Sequence, residues 1–247
     1  MNNVLFASDL HLSPKRPDKV ELFFTLLARC RAQVSAVYLL GDLVEFWLGD
    51  DDADPIHLRL TSALRELSAS GVALAIATGN RDFLMGTQFC RNTGASLLAD
   101  YAVIDLYGTR TLLTHGDLLC TKDVQYQQFR QYVRAPSRQQ QFLALTLAER
   151  RRIAMETRSD TQKSMVDKDD FIMDVDAAEV ARVMAAHQVQ RLVHGHTHRP
   201  AVHQFELEGA TCERVVLGDW YACNEVYWAC ADGNRLLSAE HLLREFA

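Results

Sequence analysis

Apolar residues in this chain follow two alternating patterns, and the alternation predicts the fold class. Short runs that are apolar at most positions, Val4 to Ser8, Val37 to Leu40, Val72 to Thr78, Thr111 to Thr114 and Arg191 to His194, read as buried strands. Between the first of them, Lys19 to Gln33 and Ile56 to Ser70 place apolar residues at helical spacing, with Gly71 standing as a C-cap. Strands joined by crossover helices predict a layered α/β fold. After Pro200, Val202 to Leu207, Glu213 to Leu217 and Val226 to Ala231 favour β-branched and aromatic residues, with turns at Gly209 and Asp232-Gly233. They are expected to be antiparallel strands that finish a second sheet. Residues 121–171 are rich in Gln, Arg and Leu and hold no strand-like run, so they predict a helical insertion within one domain spanning 1–247.

Composition changes this picture little. With 247 residues, 48% of them hydrophobic, the chain has apolar material for an ordinary core. Its 26 Lys and Arg against 32 Asp and Glu leave a net charge of −6, which opposes an overall attraction to nucleic acid or anionic lipid but leaves a local basic patch open. Six scattered cysteines without a C-x-x-C pair read as reduced thiols. The N-terminal apolar run stops at Asp9 and lacks the charged and long apolar regions of a signal peptide. No apolar stretch approaches the roughly 20 residues of a transmembrane helix. A cytoplasmic protein is expected, touching a membrane at most from outside.

Candidate chemistry gathers where the strands end. Directly after them come Asp9-Leu10-His11, Gly41-Asp42, Gly79-Asn80-Arg81-Asp82, His115-Gly116-Asp117 and Gly195-His196-Thr197-His198. Ligands of open α/β sheets bind at the carboxyl ends of the strands, so five clusters are expected at one rim. Side chains at i and i+2 of an extended segment point the same way, which predicts that Asp9 converges with His11, and His196 with His198. Glycine at 41, 79 and 195 permits sharp turns and close backbone approach. Carboxylate, carboxamide and imidazole suit first-row divalent ions, and the lack of thiolate argues against a structural zinc site. One such residue alone is usually a cap, whereas five clusters in order are not explained by capping. Two cations held about 3.5 to 4 Å apart acidify water and clamp phosphoryl oxygens, so the chain is a candidate two-metal hydrolase of phosphate esters or anhydrides.

The motifs D-x-H, G-D, G-N-R-D, H-G-D and G-H-T-H, in that order, resemble the calcineurin-like metallophosphoesterase superfamily over most of the chain outside the insertion. The resemblance implies a β-sandwich core flanked by helices. It implies Asp9, His11, Asp42 and His198 around one metal, Asp42, Asn80, His115 and His196 around the other, and Asp42 as the bridge. The flanks are similar to one branch, the UDP-2,3-diacylglucosamine hydrolases of lipid A biosynthesis. They include Leu40-Gly41-Asp42-Leu43-Val44-Glu45-Phe46-Trp47, Gly49-Asp50-Asp51, Phe83-Leu84, Cys120, Asp123, Ile172-Met173-Asp174-Val175 and Arg199-Pro200. Membership implies a pyrophosphatase with two Mn²⁺ per chain, peripheral on the cytoplasmic side of the inner membrane. Water attack at the α-phosphorus would give UMP and 2,3-diacylglucosamine 1-phosphate (lipid X). The resemblance also implies catalytic roles for Asp42, Asn80, Arg81, His115 and His196, and substrate contacts at Asn80, Arg81, Asp123, Thr161, Lys168 and His196. Thr161 stands where serine is usual, and Met165 where asparagine is frequent, which removes one polar contact. Neither nucleic acid nor an obligate protein partner is implied. The alternative is a nuclease or cyclic-nucleotide phosphodiesterase on the same dimetal centre.

Arg81 occupies a place where many relatives carry a histidine able to protonate a leaving alkoxide. A guanidinium stays charged at working pH, so it stabilises charge and delivers no proton, which suits the weakly basic phosphate that leaves a diphosphate. An ion pair between Arg81 and Asp82 is the structural alternative. Asp117 is expected to orient His115, and Asp82 either does likewise or caps backbone.

Between 130 and 163, Arg130, Arg134, Arg138, Arg150, Arg151, Arg152, Arg158 and Lys163 face Glu149, Glu156 and Asp160 in sequence, with apolar residues such as Phe129, Tyr132, Leu143 and Ile153 interleaved. Under the resemblance those apolar residues line an acyl groove or dip into a bilayer interface while the arginines meet lipid phosphates. By pattern alone the segment is a hairpin that buries its apolar face. Asp50, Asp51, Asp52 and Asp54 read as a solvated loop, His194 as structural, and His57, His187, His203 and His241 carry no role.

Overall fold

Burial on both faces organises the central strands. In β1 (Asn3–Ala7), Val4 and Phe6 enter one core and Leu5 and Ala7 the opposite one. The computed structural model describes residues 3–166 and 174–246, the side chains of 160–166 excepted, so Lys168 and the side chains of Thr161 and Met165 lie outside the described residues. After β1 come α1 (Pro17–Cys30), β2 (Val34–Leu40), α2 (Pro55–Ala69), β3 (Ala73–Ala77), α3 (Thr87–Thr93), β4 (Ser96–Leu97), β5 (Ala102–Leu106) and β6 (Thr109–Leu113). Three helices follow, α4 (Val124–Arg134), α5 (Pro136–Leu143) and α6 (Leu147–Val166), and then α7 (Ala177–His187) and β7 (Arg191–His194). The chain continues through β8 (Ala201–Leu207), β9 (Ala210–Val216), β10 (Glu225–Cys230), β11 (Gly233–Ser238) and α8 (Ala239–Glu245).

Among the described residues the strands form two sheets, ordered β11-β10-β1-β2-β3-β4 and β5-β6-β7-β9-β8. Neighbours from β1 to β4 are parallel, as are β6, β7 and β9, so both sheets send carboxyl ends to the site. Phe6, Leu40 and Ala77 of one sheet pack with Leu113, Val193 and Val215 of the other. Helices α1, α2 and α8 cover the outer face of the first sheet through Phe23, Leu64 and Leu242, and α7 covers the second through Val183 and Met184. The boundaries of α2 follow its caps: Asp54 accepts from the Ile56 N–H, Pro55 opens the helix, and Gly71 follows its end at φ +91°.

Two expectations are corrected here. The five strands read as one open sheet are divided, three in the first and two in the second. Moreover β10, expected to finish the second sheet, pairs antiparallel with β1 in the first and brings β11 with it. Apolar periodicity reports that a strand is buried and is blind to which neighbour buries it.

The acidic run is a solvated loop only in part, since Asp50 and Asp51 are exposed and Asp52 is buried. Asp50 accepts from Trp47 Nε1 and the Phe89 N–H, Asp51 pairs with Arg150, and buried Asp52 lies 3.6 Å from His57. His57, given no role by its sequence position, packs on Trp47 in that cluster. Four arginines of the insertion face the protein, whereas Arg138, Arg151 and Arg152 are exposed. Arg130 binds Asp117 and Asp100, Arg134 the carbonyls of Thr78 and Gly79, Arg150 the Leu48 carbonyl, and Arg158 pairs with Glu45. Loop carbonyls at strand ends need donors, and a guanidinium reaches several at once. Conversely Tyr132, Leu143 and Met155 are exposed, Met155 by 61%, so the hairpin with a buried apolar face is not what forms.

Leu64→Ala removes a fully buried side chain of α2 and is expected to lower unfolding free energy by about 2 to 5 kcal/mol in urea titration. Leu58→Ala on the exposed face of the same helix is expected to change it by less than about 0.5 kcal/mol.

Candidate metal centre

Backbone strain concentrates at the rim. Asp9, His11, Asp42, His196 and His198 all adopt left-handed φ, between +45° and +69°. Only nine described residues other than glycine do so, and the remaining four lie elsewhere, such as Gln188 at the end of α7. Residues with a Cβ enter this region at a cost of about 1 to 2 kcal/mol, so five neighbouring cases mark a place where position outweighs local stability.

The left-handed turns correct the expectation built on an extended i, i+2 pair. His196 and His198 part company: His196 Nδ1 lies 3.1 Å from the Asn80 amide, whereas His198 Nε2 lies 3.2 Å from Asp9 Oδ1 and 3.4 Å from His11 Nε2. Donor atoms of Asp9, His11 and His198 all fall within 4.8 Å of one another, as do those of Asp9, Asp42 and His115. Asp42 sits between, with Oδ2 3.9 Å from His11 Nε2 and Oδ1 3.8 Å from His115 Nε2. Asn80 completes the far side, its amide 3.2 Å from His115 Nε2. All seven residues expected to hold metal are thus brought together.

Cross-sheet bonds lock this arrangement. Asp9 Oδ2 accepts from the His196 N–H at 2.9 Å and from the Ser8 hydroxyl, and the Trp220 N–H donates to the Asp9 carbonyl. His115 Nδ1 faces the Leu40 carbonyl at 2.8 Å, so it carries a proton and donates there, and Nε2 is turned to the site. That carbonyl, not Asp117, orients His115. Asp117 instead accepts from Tyr126 and Arg130 on α4, because those donors reach it and the imidazole N–H is already engaged. Asp82 is neither an orienting group nor a partner of Arg81; its oxygens accept the Gly79 and Leu43 N–H groups and tie two strand-end turns together. A Cβ on Gly195 would overlap the Asp9 carboxylate and Ser8, which is why glycine stands there.

Of the expected substrate contacts, Asn80, Arg81 and His196 lie at the rim, and Asp123 caps α4 by accepting from the Tyr126 N–H. His194 is fully buried with Nδ1 2.8 Å from the Gly195 carbonyl. Sequence reasoning missed Asp219 and Tyr221. Asp219 Oδ2 lies 3.4 Å from His198 Nδ1, and the Tyr221 ring stacks on His11 at 5.0 Å. Their signal was present: Gly218-Asp219 follows β9, which is parallel to β7, as Gly41-Asp42 follows β2.

The donor set fits divalent cations electrostatically. Burial pushes the Asp42 carboxyl up to about 7, with Asp82 and Asp9 adding to the effect against His115 and Arg81. Burial also pushes Asp9 up, but the His198 hydrogen bond and the charges of His115, His198 and His11 outweigh it and hold Asp9 well below the usual carboxylate range. His11 and His196 are lowered to about 3 and about 4, chiefly by burial, and so stay neutral as ligands must. A cation would favour the ionised Asp42 and draw the Asn80 oxygen inward, whereas the chain's own groups favour the amide nitrogen toward Asp42.

The sign of the pH dependence follows. An unfolded aspartate titrates near 3.9, so folded Asp42 holds its proton more tightly, and the stability that Asp42 contributes to the metal-free chain is lost as pH rises from about 4 to about 7. Cation binding displaces that proton. Mn²⁺ affinity in calorimetric titration is therefore expected to weaken by up to about tenfold per pH unit below 7, with proton release visible as buffer-dependent heat. Affinity independent of pH between 5.5 and 7 would contradict this assignment.

Residues 3–200 match the calcineurin-like phosphoesterase family. A curated relative from Aeromonas salmonicida, named UDP-2,3-diacylglucosamine hydrolase, is 45% identical over 97% of this chain and 94% of its own length. Another of that name, from Cellvibrio japonicus, is 47% identical over 89% of this chain and 91% of its own. A solved dimetal phosphatase from Danio rerio shares the fold, with TM-score 0.50 and 13% identity over 96% of this chain and 99% of that one. By strand-end motifs, two-sheet architecture and similarity along nearly its whole length, the chain belongs to the calcineurin-like phosphoesterase family.

Proposed function

We propose that the chain is a Mn²⁺-dependent UDP-2,3-diacylglucosamine diphosphatase. Water attacks the α-phosphorus, the bond from that atom to the bridging oxygen breaks, and UMP separates from 2,3-diacylglucosamine 1-phosphate. The observation that carries the reading is the rim, where oxygen and nitrogen donors from five strand ends of two sheets crowd around Asp42. The substrate follows from relatives 44–47% identical that bear this name. Asp9, His11, Asp42 and His198 would hold one ion, and Asp42, Asn80, His115 and His196 the other. Bound there, two Mn²⁺ ions lower the pKa of water and neutralise charge on the phosphoryl oxygens.

Arg81 sits beside that centre. Its N–H fixes Asp42 Oδ1 at 2.8 Å, Asp82 is engaged by backbone donors, and the Arg81 guanidinium, with Nε 3.2 Å from the Asn80 amide, stands at the rim where it would meet phosphate charge. Because it delivers no proton, the leaving group has to be one that needs none, as a phosphate monoester is. Asp123, Thr161 and Lys168 complete the proposed substrate contacts.

Segment 121–171 serves, in this reading, as a cap within a single domain spanning 1–247. Anchored arginines and outward apolar side chains suit a surface that meets acyl chains, and a cavity of about 170 Å³ lies under α6, bordered by Phe46, Leu48 and Met155 but also by Glu45, Asp52 and Arg151. Exposed Tyr132, Leu143 and Met155 support peripheral contact with the inner membrane from the cytoplasmic side, where the six free thiols would stay reduced. Among the described residues no helix is long and apolar enough to cross a membrane.

Metal-stripped protein supplied with Mn²⁺ and UDP-2,3-diacylglucosamine in ¹⁸O-water is expected to place the label in UMP, read by phosphorus NMR. Label in the lipid phosphate contradicts attack at the α-phosphorus, and turnover of DNA or cyclic nucleotides without the glycolipid favours the alternative enzyme. Arg81→Ala is expected to lower kcat by about 10²-fold, the usual loss of one charge-stabilising group. An unchanged kcat removes Arg81 from the mechanism.

A further inference from the structure

The turn that follows β9 touches one half of the rim. Three consecutive residues reach the three members of one donor group. Asp219 lies against His198, the Trp220 N–H donates to the Asp9 carbonyl at 3.0 Å, and the Tyr221 ring stacks on His11 at 5.0 Å and 26°. Asn80, His115 and His196 take their contacts elsewhere, from the Leu40 carbonyl and the Tyr126 ring among others.

The turn is itself built to stay still. Asp219 Oδ1 accepts from the Tyr221 and Ala222 N–H groups, both at 2.7 Å, and its carbonyl accepts from the Asn224 N–H at 2.9 Å. Trp220 is buried with its ring edge-on to Phe23, and Arg16 donates to the Tyr221 carbonyl. One carboxylate oxygen therefore shapes the turn while the other faces His198 Nδ1. His198 needs such a partner, since its side chain is one-third exposed while those of His11 and His115 are enclosed. A carboxylate at Nδ1 keeps the proton there and presents Nε2 to a cation.

We propose that Asp219 is a positioning residue which, with Tyr221, sets the affinity of one cation position, the one formed by Asp9, His11 and His198, and leaves the other largely untouched. The proposal rests on the dimetal reading above. Its test is Mn²⁺ uptake by metal-stripped full-length protein, read by calorimetry and by electron paramagnetic resonance, which separates coupled pairs from single ions.

Wild-type chain is expected to take up two ions and show the coupled signal. Asp219→Ala is expected to bind one ion near wild-type affinity and the second about 10- to 100-fold more weakly, with a single-ion signal at limiting Mn²⁺. Asp219→Asn keeps the oxygen that shapes the turn but presents an NH2 to Nδ1, so it is expected to weaken the second ion as Asp219→Ala does while leaving the fold intact. Equal, tight uptake of two ions by wild type and Asp219→Ala overturns the proposal alone, whereas a wild type that takes up fewer than two removes the dimetal reading beneath it. Should Asp219→Ala fail to fold, Tyr221→Ala deletes a partly exposed ring without touching the turn's hydrogen bonds. A weakened second ion is expected there too, and unchanged affinities overturn the role given to this turn.

Discussion

Burying Asp9 and Asp42 between two sheets is the constraint on which the rest of the rim depends. A carboxylate without water is costly unless donors and positive charge meet it. Asp9 has them within the chain, from the His196 N–H, the Ser8 hydroxyl and His198. Asp42 is less well served, holding the Arg81 N–H while Asp9 and Asp82 crowd it with like charge, and its ordinary ionised state is the one most in need of a cation. The same burial keeps His11 and His196 neutral, so these two imidazoles are ready as ligands before any ion arrives, whereas Asp42 must first give up its proton.

Holding that arrangement requires strain elsewhere to be locked in place. Left-handed backbone at five donor residues is sustained because each strand end is bonded to a neighbour from a different strand, as the Gly195 N–H is to the His115 carbonyl and the His11 N–H to that of Asp42. The insertion joins the same lattice. Arg134 holds the Thr78 and Gly79 carbonyls just before Asn80, and Tyr126 with Arg130 holds Asp117 just after His115. Through these bonds α4 is fastened to two of the turns that carry donors, so a displacement of the proposed cap reaches the chemistry directly.

Orientation of charge in the insertion runs against the usual surface helix. Four of its arginines, Arg130, Arg134, Arg150 and Arg158, point inward, where strand-end carbonyls and acidic groups satisfy them, and several apolar side chains point out. Such an inversion is unfavourable in plain water and is relieved by an apolar partner, which is consistent with a substrate carrying two acyl chains.

The order and chemical type of the donors were legible in the chain alone, because each follows a short apolar run and stands beside a glycine or another donor, as in Gly41-Asp42 and Gly195-His196. So was the helical character of the segment after residue 121, as far as α4, α5 and α6 describe it. Asp219 was legible in principle, since Gly218-Asp219 ends β9 in the same manner, but the strand read as antiparallel pointed its end away from the rim. Only tertiary structure decided which sheet each strand joined, that His196 turns to Asn80 while His198 turns to Asp9, and that Leu40 rather than Asp117 orients His115. The physical reason is common to all three. Period and spacing along a chain report which side chains are buried, whereas partners are chosen by contacts between distant segments and by left-handed turns that redirect a side chain without leaving any periodic trace.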